Sequence, residues 1–167
     1  MEKLADLMGV SKGTLYNYFR DKDDVVFFIM QNQSRQICEA LERCAAEQAG
    51  TLEILRKMMI TTLVMFRDFR FLRAAIGEVV QKQGHTTEER GRLLSGCIES
   101  LSAVIARGVD EGVLRPCDPE LTAVLLHAMM VGIGLGSDID ERIDIDKQEV
   151  RQVVCDALMR GLVREEK

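Results

Sequence analysis

Proline, the strongest helix breaker, occurs only twice in this chain of 167 residues, at Pro116 and Pro119. Elsewhere no residue lacks the backbone N–H that an α-helix needs, so long uninterrupted helices are possible on both sides of that pair. The apolar spacing uses the opportunity. Met30, Ser34, Ile37, Leu41 and Cys44 step by three and four, as do Leu52, Leu55, Met59, Thr62 and Phe66. Leu94, Ile98, Leu101, Ile105 and Val109 repeat the pattern, and so do Val150, Val154, Ala157 and Gly161. This is the spacing of one helical face, and no stretch shows the period-two alternation of a strand. The chain is therefore expected to be all-α.

Capping chemistry places the boundaries. Ser11 and Asp21 are expected to cap helices, Gly50 to end one and Thr51 to cap the next. Thr86 with Glu89, and Asp146 with Glu149, have capping-box spacing. Asp118 before Pro119 reads as an N-cap followed by a first helical residue whose N–H is not needed. Helices are predicted at 2–8, 12–19, 22–48, 52–66, 69–83, 87–111, 119–136 and 147–164.

Composition excludes several classes. No apolar run approaches the ~20 residues of a membrane span, and no basic-then-apolar leader opens the chain, so the expected location is the cytoplasm, away from membranes. The five cysteines, Cys38, Cys44, Cys97, Cys117 and Cys155, are odd in number and none lie at C-x-x-C spacing. That argues against a disulfide framework or a zinc site and for small buried hydrophobes in a reducing compartment. No nucleophile–base pair or metal cluster supports catalysis, and no cofactor or metal is expected. The glycines at 132, 134 and 136 do not follow a strand, so they form no nucleotide fingerprint. The acidic run at 137–149 lacks the ligand order of a calcium loop.

The segment with most chemical content is residues 2–19. Leu4, Ala5 and Met8 mark the apolar face of a short helix. Gly9 permits a tight turn, Val10 would plug the angle between two helices, and Leu15 and Phe19 stripe the second helix. A small residue, a glycine four later and an apolar residue six after that is helix-turn-helix spacing. Lys12, Gly13, Thr14, Tyr16, Asn17 and Tyr18 fall on the solvent side or N-terminal end of the second helix, where they suit phosphate and base-edge contacts. Gly13 lets the backbone approach a groove. An ordinary helical hairpin with exposed tyrosines fits these residues equally well. The net charge of −5 is mildly against nucleic-acid binding, but phosphate responds to the local field. Within 2–22, Lys3, Lys12, Arg20 and Lys22 face Glu2, Asp6 and Asp21, a local balance of +1.

The run GVSKGTLYNYFRDKDDV closely resembles the signature of the TetR family of transcriptional regulators, over roughly residues 2–25. The later stretch EGVLRPCDPELTAVLLHAMMVGIGLG resembles that family in layout. The resemblance implies an N-terminal helix-turn-helix (1–25) attached to a larger helical ligand-binding and dimerisation domain (26–167). It implies that Thr14 and Asn17 face bases, that Lys12, Tyr16, Tyr18 and Lys22 hold phosphates, and that Val10, Leu15 and Phe19 are core. The implied function is a ligand-responsive regulator, a repressor released from a palindromic double-stranded operator by a small-molecule effector and acting as a homodimer. The helices at 119–136 and 147–164 would form a four-helix bundle between two chains. Leu125, Met129, Gly132, Val150, Val154, Ala157, Leu158 and Gly161 are the expected interface.

Met59, Phe66, Phe69, Arg73, Cys97, His127 and Met130 are candidates for the effector pocket, and each reads equally as plain core. Met58, Met65, Phe71, Ile76 and Arg70 belong to the same set. Two other readings remain: a dimeric sensor that does not bind DNA, and a thiol redox sensor. For the latter, Cys38 and Cys44 are six apart and point to different faces of a helix. Family members carry a further helix before the motif, whereas here the chain starts almost upon it. The expectation is weak duplex binding and a mobile N-terminus, which nanomolar operator affinity in a fluorescence-anisotropy titration would contradict.

Overall fold

The computed structural model describes residues 1, 2, 5, 6, 9–68, 87–136 and 142–164. The predicted helix at 69–83, and with it Phe69 and Arg73, lies outside the described residues, as do Leu4, Met8 and the capping residue Thr86. Glu2, Ala5 and Asp6 are helical. Six helices follow among the described residues: α1 (Lys12–Tyr18), α2 (Lys22–Ala45), α3 (Thr51–Asp68), α4 (Thr87–Asp110), α5 (Pro119–Gly136) and α6 (Gln148–Leu162).

Local chemistry starts three of these helices as expected. The Ser11 hydroxyl accepts from the Thr14 N–H at 3.0 Å, and the Asp21 carboxylate accepts from the Asp24 N–H at 2.9 Å. The Asp118 carboxylate accepts from the Leu121 N–H at 3.0 Å. Each side chain satisfies one of the free donors in a first turn.

Three expected helix-end residues are corrected. Gly50 ends no helix: α2 stops at Ala45 with Ala46 as its C-cap. Thr51 lies inside α3 and is buried; its hydroxyl donates to Glu111 Oε2 (2.5 Å) and accepts from Arg107 Nε (2.9 Å). It faces α4 because two charged groups there offer stronger partners than its own helix end. Asp146 does not cap α6, whose N-cap is Lys147 without a side-chain bond. Asp144 takes over that turn: its carboxylate accepts from the Asp146 N–H at 3.1 Å and its carbonyl from the Lys147 N–H at 3.0 Å. Such local Asx geometry competes directly with a capping box.

Helix α3 is the hub, packed against α2, α4, α5 and α6. Ile54, Leu55, Met58, Met59, Thr62 and Leu63 are fully buried along it. Thr62 is tolerated there because its hydroxyl donates to the Met58 carbonyl at 2.9 Å, so no polar atom is left stranded. Leu41, Leu101, Ile105, Leu114, Leu126, Met130 and Cys155 complete the core around it. An Arg56–Asp156 pair at 2.6 Å joins α3 to α6.

After α4 the chain turns at Gly112, whose φ of +72° is open to glycine without strain. The Val113 and Leu114 N–H groups both donate to the Gly108 carbonyl, at 3.0 and 2.9 Å. An isolated antiparallel bridge between Leu114 and Val163 then fastens this loop to the end of α6. The fold thus anchors the α4–α5 connection at both ends and sends α5 across the body.

Candidate nucleic-acid interface and ligand groove

The N-terminal segment builds an exposed edge on a small buried base. Gly9 takes φ +66°, a left-handed conformation that disfavours other residues. Across that turn the Val10 N–H donates to the Ala5 carbonyl at 3.0 Å. Ala5 and Leu15 are each 2% exposed, and Val26 and Phe27 at the start of α2 are buried too. Phe19 is half-buried and meets Phe28 edge-on, with ring centroids 5.5 Å apart. Leu15 and Phe19 thus take the inward roles expected of them. Val10 does not: it is exposed, because the turn closes through its backbone N–H and leaves the side chain at the rim.

The outward side of α1 carries Lys12, Gly13, Thr14, Tyr16, Asn17 and Tyr18, all exposed; Tyr18 is 79% accessible. Lys22 is exposed at the start of α2. Tyr16 and Tyr18 present to solvent both an apolar ring and a hydroxyl, groups that can stack and hydrogen-bond. Lys12 Nζ donates to Glu2 Oε1 at 2.5 Å, and the pairing raises the lysine's pKa while lowering that of Glu2. The pair is solvent-exposed on both sides and therefore weak. The Thr14 hydroxyl lies 2.8 Å from the capping Ser11 hydroxyl, which fixes its rotamer. Arg20 is committed elsewhere, with its guanidinium on the Asp24 carboxylate through two bonds of 2.7 Å.

The body contains a groove of about 610 Å³ between α4 and α5. Ile98, Val124, Ala128 and Val131 supply apolar walls, Glu99 and Glu120 stand among the lining groups, and His127 closes one side. Of the described residues singled out for a pocket, His127 alone lines this groove. Met59 and Met130 are sealed in the core, and Cys97 is 1% exposed. The side chain of Phe66 lies outside the described residues.

His127 is 3% exposed, and burial holds its imidazole below the ordinary histidine value. An unfolded imidazole takes up its proton near pH 6.5, and the folded one does so only at lower pH. Between these two values the unfolded state binds more protons, so stability present above about pH 6.5 is lost as the pH falls. Urea unfolding at about pH 7.5 and about pH 5.5 should show a smaller loss for His127→Gln than for the wild type. Equal losses would place the acid sensitivity elsewhere.

Helix α5 is apolar on both faces. Ala123, Leu126 and Met130 point into the core, whereas Leu121, Val124, Leu125 and Met129 are 43–57% exposed. Gly132 is exposed on the same stripe. On α6, Val153 is 67% exposed, with Ala157 and Gly161 also exposed. Val150 is half-buried, while Val154 and Leu158 are half-buried against the protomer's own core. The outward stripe of α6 is therefore Val153, Ala157 and Gly161, and on α5 it gains Leu121 and Val124. Spacing singles out neither Leu121 nor Val124, because α5 reads as uniformly apolar, and it misses Val153, which lies beside the Val150–Val154–Ala157 row on α6.

Comparison with known proteins bears on both regions. A family model described as "BetI-type transcriptional repressor, C-terminal" matches residues 69–163, more than half of the chain. A second, "Bacterial regulatory proteins, tetR family", matches residues 1–27. The chain belongs to the TetR family of transcriptional regulators. As a TetR-family protein it is a DNA-binding regulator, and its fold agrees with solved members. FadR from Bacillus subtilis, solved in complex with stearoyl-CoA, superposes with a TM-score of 0.77 at 19% identity, covering 96% of this chain and 87% of that one. FadR of Bacillus halodurans, a fatty acid degradation regulator, gives 0.76 at 18% identity, covering 95% and 86%. Among curated relatives, the uncharacterized HTH-type transcriptional regulator YhgD of Bacillus subtilis (strain 168) is 25% identical over 144 residues, 80% of this chain and 70% of that protein. The fatty acid metabolism regulator protein of the same organism is 24% identical over 122 residues; these are 69% of this chain, and the match spans 60% of that protein.

Proposed function

We propose that this TetR-family regulator is a homodimeric repressor that reads a two-fold symmetric operator through α1 and is released by an apolar effector seated between α4 and α5. The observation that carries the reading is the exposed edge of Thr14, Tyr16, Asn17 and Tyr18 on a capped helix whose other side is anchored by Leu15. In this assignment Thr14 and Asn17 contact base edges. Lys12, Tyr16, Tyr18 and Lys22 hold phosphates, and Gly13 allows close backbone approach. Residues 1–25 act as the reader and 26–167 as the sensor and dimerisation body. The protein works in the cytoplasm, where operator DNA is found.

Pairing of two protomers through α5 and α6 buries the exposed Leu125, Met129, Gly132, Val153, Ala157 and Gly161 stripe. An exposed apolar surface of that size favours a partner over solvent, and an isologous two-fold interface is the commonest solution. Two readers must then sit about 34–36 Å apart, one turn of duplex. Helix α2 carries the reader and packs on α3 and α4, so an effector that favours one α4–α5 spacing biases the tilt of α2. Only the effector's difference in affinity between the two tilts can release DNA.

The groove wall is mainly apolar, with Ser95, Glu99, Glu120 and His127 as its polar lining residues. Because several relatives are named as fatty acid regulators, a long-chain acyl thioester is the first effector to test. The function itself is tested by selection from a pool of randomised duplexes. The expected outcome is enrichment of a palindrome with half-sites one turn apart, bound more weakly as salt rises. Failure to enrich any sequence would refute the reading.

A further inference from the structure

Two cysteines distant in sequence meet across the α2–α4 contact. Cys38 Sγ and Cys97 Sγ lie 2.7 Å apart, as free thiols. Gly96 gives Cys38 room at this contact: a Cβ there would lie 3.3 Å from Cys38 Sγ and 3.5 Å from Cys38 Cβ, close enough to press on the sulfur. Cys97 is buried, while Cys38 retains partial access to solvent. A disulfide needs sulfurs at about 2.05 Å, a further movement of well under 1 Å. The other cysteines are differently placed. Cys44 is buried with the Thr61 hydroxyl at 3.9 Å, while the sulfur beside Cys38 is that of Cys97, not that of Cys44 considered from sequence. Cys155 is buried, and burial pushes its thiol up to about 11.

We propose that Cys38 and Cys97 form a hydroperoxide-sensitive dithiol site that closes to a reversible intramolecular disulfide between α2 and α4. Cys38 is the attacking thiol. Bonds from the Cys97 and Ser34 side chains lower its pKa, which favours its thiolate over that of Cys97. The same pairing, with burial, holds the Cys97 proton more tightly, which suits the resolving partner. The thiolate sulfur of Cys38 attacks one peroxide oxygen, the O–O bond breaks, and the leaving alkoxide or hydroxide takes a proton to become alcohol or water. Cys38 is now a sulfenic acid. The Cys97 sulfur attacks it, the S–O bond breaks, the departing hydroxide takes the Cys97 proton, and an S–S bond forms. Two thiols lose two electrons, and one hydroperoxide is reduced to alcohol, or water, plus water. The cross-link ties the helix that carries the reader to the helix that lines the groove.

The test treats the full chain with hydrogen peroxide, then counts thiols after unfolding and maps the non-reduced digest. The expected result is a fall from five free thiols to three, one fragment joining Cys38 to Cys97, and recovery of all five with dithiothreitol. In Cys97→Ser, Cys38 should accumulate as a sulfenic acid that dimedone traps. Mapping the wild type requires no variant to fold. Retention of all five thiols, linkage through Cys44, Cys117 or Cys155, or a bridge between protomers would overturn the proposal.

Discussion

Leu125→Glu is expected to turn a dimer into a folded monomer and to remove most duplex affinity. Leu125 is 53% exposed on the outward stripe of α5, so the substitution costs the isolated protomer little. In the proposed two-fold interface it appears twice and brings two carboxylates together out of water. The effective penalty for burying an unpaired ion is several kcal/mol, enough to dissociate a dimer at micromolar concentration. Each reader alone then loses the advantage of simultaneous engagement, roughly 10²-fold or more. Sedimentation and far-ultraviolet circular dichroism read mass and helicity together. A Leu125→Glu protein that stays dimeric, or a wild type that is monomeric at the same concentration, would remove α5 from the interface.

The second large effect is on stability. Gly108 sits on α4 where its added Cβ would lie 2.6 Å from Leu114 Cδ1, 2.7 Å from Leu114 Cγ and 3.1 Å from Thr51 Cγ2. Leu114 and Thr51 are both buried. Neither has open space to move into: the Thr51 hydroxyl is held by Glu111 and Arg107, and Leu114 is 1% exposed within the core. Gly108→Val should therefore cost about 1–3 kcal/mol from overpacking, a fall in Tm of roughly 2–12 °C for a chain of this size. Leu114→Ala alone should cost about 2–5 kcal/mol by opening a cavity. The double variant should lose less than the two single losses together, because the valine fills the space the leucine leaves. Simple additivity at fixed protein concentration would show that the two side chains do not compete for that volume.

What was legible in the sequence was local. Ser11, Asp21 and Asp118 each cap within three residues of themselves, so the helix starts could be read from short windows. The same holds for the turn at Gly9 and the outward positions of Tyr16 and Asn17, which a single helical register fixes. Two of the misread features depend on partners far along the chain. Thr51 looks like a cap until Arg107 and Glu111 arrive from α4. Cys38 looks unpaired until α4 brings Cys97 beside it, 59 residues away. The outward stripe of α5 was hidden for another reason: a helix apolar on both sides gives no phase, and only packing shows which side the protomer keeps. Val10 was assigned inward because its type suits a core, whereas the turn uses its amide.

Base reading by the exposed edge of α1 is tested by the base preference of Asn17→Ala on the palindrome selected by the wild type, in competition anisotropy against single-base variants at constant salt. The expected result is an affinity loss of about 1–3 kcal/mol per half-site, with discrimination relaxed at one base pair and kept at the others. Unchanged affinity with every base preference intact would contradict it.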